Sequence, residues 1–247
     1  MRETILSLNN VNLTYFTDNG ETQALKDINI NINDGDFVSI VGPSGCGKTT
    51  ILSIISGLLK PTSGDVHFKE GYNQIGYMFQ KDLLFPWLTI NKNILLGLQI
   101  QKKKTKENIA YANELLKKYG LWDFRNKHPH ELSGGMKQRV ALIRTLVLRP
   151  KILLLDEAFS ALDFQTRLNV CDDVYKIIKE QGLTSILVTH DITEAISMSD
   201  KIIILSHRPA SVIKELNIDI DKNSTPRLRR SDEKTKTYFD EIWSKLQ

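Results

Sequence analysis

The stretch Phe37-Val38-Ser39-Ile40-Val41-Gly42-Pro43-Ser44-Gly45-Cys46-Gly47-Lys48-Thr49-Thr50 decides how the rest of the chain reads. Its first five residues are a short apolar run, bounded by glycine, of the kind that builds a fully buried strand. Gly42 to Thr49 then fits the pattern G-x-x-x-x-G-K-[ST], and helical spacing follows from about residue 48 to residue 59. Strand, glycine-rich loop and helix in that order make a phosphate cradle. The glycines let backbone N–H groups turn inward on phosphate oxygens, and the helix N-terminus adds partial positive charge. Lys48 is placed to reach β- and γ-phosphates, and the Thr49 hydroxyl to reach Mg²⁺. Residues Gly42 to Thr50 are thus candidate phosphate-binding positions, with the Cys46 side chain a bystander in a loop that tolerates many residue types.

Working outward, residues 1–35 read as strands, because Ile28, Ile30 and Ile32 alternate with Asn29, Asn31 and Asn33 up to a turn at Asp34-Gly35. Two more short strands are predicted at 66–68 and 75–79. After Gln80 the character changes. Segments 94–99, 106–119 and 136–148 carry helical spacing, broken by Pro86, Gly120 and Pro129, and predict a helical insertion over about 81–148. Strands return at 152–155, 185–189 and 202–205, separated by helices at about 164–180 and 192–198. Short all-apolar strands alternating with helices imply a parallel sheet covered on both faces. Residues 222–233 are polar and contain a proline. Beyond them Tyr238, Phe239, Ile242, Trp243 and Leu246 predict an amphipathic helix over about 232–247, docked on its own domain. The expectation is one domain over 1–247.

With 41% hydrophobic and 25% charged residues in 247, the composition is that of a globular protein and excludes a disordered, collagenous or coiled-coil chain. The apolar stretch 51–59 is far short of the roughly 18–20 residues needed to cross a bilayer, so no membrane span is expected. The opening MRETILSLNN mixes charge and amides where an export signal needs an apolar core. Two cysteines, Cys46 and Cys171, offer no disulfide framework, and the cytoplasm is the expected compartment. A net charge of +4 is too small a bias to argue for nucleic acid. Basic clusters at 102–104 and 227–230 read as solvated faces, with a contact to lipid head groups or a membrane protein as the alternative.

A phosphate cradle needs a carboxylate for its metal shell. Ile152-Leu153-Leu154-Leu155-Asp156-Glu157 puts two acids at the end of an all-apolar strand, the edge where open α/β sheets bind ligands. Asp156 suits Mg²⁺. Glu157, facing the other way along an extended backbone, suits a general base for an attacking water. The alternative is an acidic cap on the following turn. Ser133-Gly134-Gly135 opens another helix with bare N–H groups able to approach a phosphate; alone it would be only a helix cap.

The cradle, the Ser133-Gly134-Gly135 segment upstream of the acidic strand, Ser160-Ala161-Leu162-Asp163 after Glu157, and His190 after the next strand together resemble the ATP-binding cassette (ABC) ATPases. Their order and spacing match across essentially the whole chain. The resemblance implies an α/β P-loop NTPase fold of RecA-like parallel sheet, with an N-terminal antiparallel β subdomain and a helical insertion. It implies ATP and Mg²⁺ as ligands, and it assigns roles. Tyr15 is similar to the aromatic that stacks on adenine, with Phe16 as the other candidate. Gln80 resembles the glutamine reaching Mg²⁺ and the attacking water. Ser133, Gly134 and Gly135 resemble the signature that caps the γ-phosphate of an ATP held by the opposite subunit. Asp163 resembles the acid coupling the two sites, and His190 the histidine contacting γ-phosphate. Independently, Asp191-x-x-Glu194 reads as a helix capping box. Met136, where the family pattern has Gln, and Ala158, where many members have Pro, are departures expected to alter fit rather than chemistry.

The stretch 80–94 and the segment 239–243 resemble the nitrate/sulfonate/taurine group of importers, which includes members moving thiamine-precursor pyrimidines. That implies an ATP hydrolase on the cytoplasmic face of the membrane, paired with a second copy. It would serve separate integral membrane permease subunits and, indirectly, an extracytoplasmic binding protein, with no nucleic acid partner. Leu83, Leu84, Phe85 and Trp87 are too apolar for an ordinary loop. Internal packing of most of them is expected, with Trp87 rimming a groove for a partner helix. The other readings are a non-transport ATPase that remodels a cytoplasmic complex, and a regulatory nucleotide-binding subunit, against which the Asp156-Glu157 pair argues.

Overall fold

The structure, a computed structural model, describes residues 3–18 and 20–246; residues 1, 2, 19 and 247 of the expected unit lie outside the described residues. In chain order the strands are β1 (Thr4–Thr17), β2 (Gly20–Asn33), β3 (Phe37–Val41), β4 (Ser63–Phe68), β5 (Ile75–Met78), β6 (Ile152–Asp156), β7 (Thr184–Val188), β8 (Lys201–Leu205) and β9 (Val212–Asn217). The helices are α1 (Lys48–Ile55), α2 (Ile90–Ile100), α3 (Lys106–Lys118), α4 (Gly134–Leu146), α5 (Phe164–Glu180), α6 (Ile192–Met198), α7 (Pro226–Arg230) and α8 (Glu233–Leu246). Two sheets form. One is antiparallel in the order β2-β1-β4, and the other runs β5-β6-β7-β3-β8-β9, parallel except for β9.

The parallel strands are mostly apolar and largely buried because each face of their sheet has its own cover. Along β6, Ile152 and Leu154 pack into the core shared with α1 and the antiparallel sheet, while Leu153 and Leu155 join the core beneath α2, α4 and α5. Adjacent β7 divides likewise, with Ile186 and Val188 on the first side and Leu187 on the second. Each such side chain, once fully buried, contributes roughly 1.5–3 kcal/mol. A third cluster on β8 holds Ile202 and Ile204 against α6 and Ile242 of α8, so the amphipathic C-terminal helix docks on its own chain.

Several boundaries differ from the sequence reading. Helix α1 stops at Ile55, not at residue 59, because Gly57 takes a positive φ of 76° and the chain turns there. Strand β5 ends one residue before Phe79. Helix α2 starts four residues earlier than predicted, at Ile90, since the Thr89 side chain accepts the Lys92 N–H and caps it. Helix α4 starts at Gly134, capped by Ser133, and ends before residue 148. Neither β9 nor α7 is signalled by the sequence. Residues 227–230 are not all a solvated face: Thr225 caps α7, and Arg229 is wholly buried, donating to the Ser199 carbonyl at 2.6 Å.

The apolar segment after Gln80 is also corrected. Only Leu84 is buried (8% exposed), whereas Leu83 and Phe85 are exposed and Trp87 is 71% exposed. Two side chains fix this shape: buried Asn93 accepts the Phe85 N–H and shares its amide hydrogens among the carbonyls of Phe85, Leu88 and Thr89, and Arg144 donates to the Asp82 and Leu83 carbonyls. These bonds hold the loop open with its aromatics outward.

Candidate active site

The site residues gather at the C-terminal edge of the parallel strands, where β3, β6 and β7 lie side by side. Gly42 to Gly47 leave β3 in a tight loop, with Gly45 at φ +70° and Gly47 at φ +129°, both in the region where a side chain is strained. A Cβ at Gly47 would also lie 2.8 Å from Leu25 Cδ2, so a side chain there would be strained and would displace Leu25. The Lys48 Nζ is folded over the loop, donating to the Gly42 and Pro43 carbonyls at 2.9 and 3.0 Å. Cys46 is buried, and burial pushes its thiol up from the ordinary range, with Lys48 and Arg208 pulling the other way. A cavity of about 250 Å³ is lined by Ser44, Gly45, Lys48, Thr49, Thr50 and Glu157, with Gly47 and Arg208. Tyr15, half exposed on β1, reaches this loop from the antiparallel sheet, its hydroxyl 3.2 Å from Thr50 Oγ1.

The two acids face different partners. Asp156 Oδ1 accepts from Thr49 Oγ1 at 2.9 Å, and Oδ2 accepts from the Tyr77 hydroxyl at 3.0 Å. Burial raises the Asp156 carboxyl above its usual range, opposed first by the Thr49 and Tyr77 hydrogen bonds; burial and the Asp156 charge likewise raise the Tyr77 phenol. A hydroxyl beside a carboxylate is the oxygen donor set of a hard cation that completes its shell with substrate phosphates and water, so Thr49 and Asp156 fit Mg²⁺. Glu157 is turned away from them by a left-handed φ of 45°, not by the extended backbone expected, and its N–H donates to the Val188 carbonyl on β7. Its Oε2 lies 3.2 Å from Gln80 Nε2 and 3.4 Å from His190 Nδ1. Gln80 therefore meets Glu157 and Ser160 Oγ (3.1 Å), and no contact joins it to the Thr49–Asp156 pair.

Two predicted groups lie apart from this cluster. Ser133 caps α4, its Oγ accepting the Met136 N–H, and neither it nor Gly134 or Gly135 lines the cavity. Asp163 caps α5 by accepting the Thr166 N–H, which holds its carboxyl below the usual range. The predicted capping box at Asp191 is half made. Asp191 accepts the Glu194 N–H, but its own N–H goes to Thr189 Oγ1, while the buried Glu194 carboxyl turns to Cys171 Sγ at 3.9 Å.

The sequence reading missed three residues. Tyr77 sits in an ordinary strand pattern and meets Asp156 only because β5 pairs with β6. Arg167 donates to the Leu162 carbonyl at 2.9 Å and stands 3.7 Å from Asp191 Oδ2, tying the loop after Glu157 to the turn after His190. Arg208, beyond β8, donates to the Gly45 carbonyl. Neither an arginine in the first turn of α5 nor one in the polar turn after β8 carries a local signal of its role.

A family model described as ABC transporter matches residues 25–160. The chain is 46% identical to the uncharacterized ABC transporter ATP-binding protein YtlC of Bacillus subtilis, over 98% of this chain and 95% of that protein. It is 39% identical to the nitrate import ATP-binding protein NrtD of Synechocystis (98% and 95% covered) and 39% identical to the taurine import ATP-binding protein TauB of Jannaschia (86% and 82% covered). Among solved structures it is similar to a dimeric post-hydrolysis state of the ATP-binding cassette MJ0796 bound to ADP and Pi. That match has a TM-score of 0.73 and 35% identity, covering 88% of this chain and all of that one.

Proposed function

Because the chain belongs to the ABC transporter family of ATP-binding proteins, we propose that it is the ATP-hydrolysing subunit of a multi-subunit importer of a small solute. The solute class is that of the nitrate, sulfonate and taurine importers, with thiamine-precursor pyrimidines in the same group. The observation that carries the reading is the convergence at one sheet edge of the Lys48 loop, the Thr49–Asp156 pair and a Glu157 carboxylate flanked by Gln80 and His190. Among the described residues no helix is long and apolar enough to cross a membrane; the translocation path in this reading is supplied by separate permease subunits. The chain then works peripherally, on the cytoplasmic face.

In this mechanism two copies close head to tail over two ATP molecules. The loop 42–50 of one copy wraps the phosphates, Tyr15 stacks on the base, and Ser133 to Gly135 of the other copy close over the γ-phosphate. The Glu157 carboxylate takes the proton of a water attacking in line, while Gln80 and His190 hold that carboxylate in place. Thr49 and Asp156 would hold Mg²⁺, which when bound neutralises charge on the β- and γ-phosphate oxygens. ATP favours the closed pair and hydrolysis removes that bias, so the helices between β5 and β6 move with the nucleotide state and carry the permease with them. Asp163 links one site to the other across the pair.

Purification of the full chain from detergent-solubilised membranes of its own cell tests the assignment. Recovery of a pair of integral membrane proteins is the expected result; recovery of ribosomes, DNA or a soluble scaffold instead overturns transport. Calorimetry on Lys48→Ala tests the cradle, whose expected outcome is a large loss of ATP affinity.

A further inference from the structure

We propose that Arg208 is a positioning residue for the phosphate loop, pinning the Gly45–Cys46 peptide and so holding the loop in its binding shape before nucleotide arrives. The inference rests on the reading of residues 42–50 as the phosphate cradle. Arg208 Nη2 donates to the Gly45 carbonyl at 2.7 Å, across 163 residues of sequence. In a planar trans peptide the carbonyl of one residue and the N–H of the next point in opposite directions. The N–H at the far end of this peptide, that of Cys46, donates to the Pro43 carbonyl at 3.2 Å. Both ends of one peptide plane are thereby taken, next to Gly45, which sits at φ +70° and, lacking a Cβ, has wide freedom when unrestrained.

The turn carrying Arg208 is itself anchored. Ser206 and Ser211 close it, the Ser206 N–H donating to the Ser211 carbonyl and the Ser211 N–H to Ser206 Oγ. Ala210 then fastens it to β2, donating to the Ala24 carbonyl and accepting from the Lys26 N–H. The same junction forms the wall behind Gly47, where an added Cβ would lie 2.8 Å from Leu25 Cδ2 and 3.8 Å from Ala210 Cβ. One turn thus braces the loop at Gly45 and at Gly47. Arg208 is exposed, so its replacement costs the fold no buried charge, and the guanidinium acts on the loop backbone. A loop held in shape in advance spares the entropy of ordering it around a ligand.

The test is calorimetric titration of the full chain, wild type, Arg208→Gln and Arg208→Lys, with ADP and with a non-hydrolysable ATP analogue, both with Mg²⁺. Loss of one exposed charge-assisted hydrogen bond predicts a Kd rise of about 3- to 10-fold for Arg208→Gln. The rise is equal for the two nucleotides, smaller for Arg208→Lys, and accompanied by faster amide exchange within residues 43–47 of the nucleotide-free chain. In steady-state hydrolysis the loss appears in KM rather than in kcat. Unchanged affinity or unchanged exchange overturns the proposal. So does a loss confined to the ATP analogue, which would put the guanidinium on the γ-phosphate. Lys48→Ala run alongside separates the two claims: if it too leaves affinity intact, the cradle reading itself falls.

Discussion

Asp156 and Glu157 are neighbours in sequence, yet the left-handed turn at Glu157 gives them separate surroundings: one carboxylate meets two hydroxyls, the other an amide and an imidazole. In the proposed mechanism that separation lets Asp156 serve a cation while Glu157 serves a proton. Glu157→Gln removes the carboxylate proposed to accept the proton and keeps the side chain's shape. It should retain ATP binding, slow phosphate release by on the order of 10²- to 10⁴-fold, and accumulate a nucleotide-bound dimer on size exclusion. Near-normal turnover would take Glu157 out of that role. These acids were legible in the sequence because a local pattern, an apolar strand ending in carboxylates, announces them. Tyr77 and Arg167 were not, since what each touches is decided by strand pairing and by where a distant turn comes to rest.

At the level of elements, the strand–loop–helix at 37–55 was legible because its apolar run and its glycines are contiguous. The C-terminal elements were not. Strand β9 is an edge strand with only a weak half-buried pattern, and α7 reads as a polar, basic tract until Arg229 is seen beneath it. Arg229 lies inside the fold, donating to the Ser199 carbonyl and standing 3.4 Å from the Tyr175 hydroxyl, which links α7 to α5 and to the turn after α6. Arg229→Ala should leave a buried carbonyl without its donor and open a cavity, costing about 2–4 kcal/mol by urea unfolding. A shift below about 0.5 kcal/mol would make the guanidinium a passenger. No sequence rule distinguishes such an arginine from its solvated neighbours, because the carbonyl it satisfies is contributed 30 residues away.

For the molecule as a whole, the decisive arrangement is that the Ser133 helix cap and the Lys48 loop belong to one chain but not to one cavity. A reaction centre needing both must be assembled from two copies. ATP hydrolysis per chain should therefore fall as the protein is diluted through its dimerisation range, and recover on concentration. A rate per chain that stays constant down to strictly monomeric protein, by light scattering at the same dilution, would remove the paired centre. The overall fold was legible because alternating strands and helices fix a covered parallel sheet, whereas the second copy was expected only through the family resemblance of Ser133-Gly134-Gly135, a segment that local patterning alone reads as a helix cap.

The open bend that Asn93 holds has a cost outside catalysis. It sets Leu83, Phe85 and Trp87 on the surface as an oily ledge. An exposed apolar ledge of this kind favours self-association of the free chain. At high concentration the chain should therefore clump sooner than a variant whose ledge has been made polar.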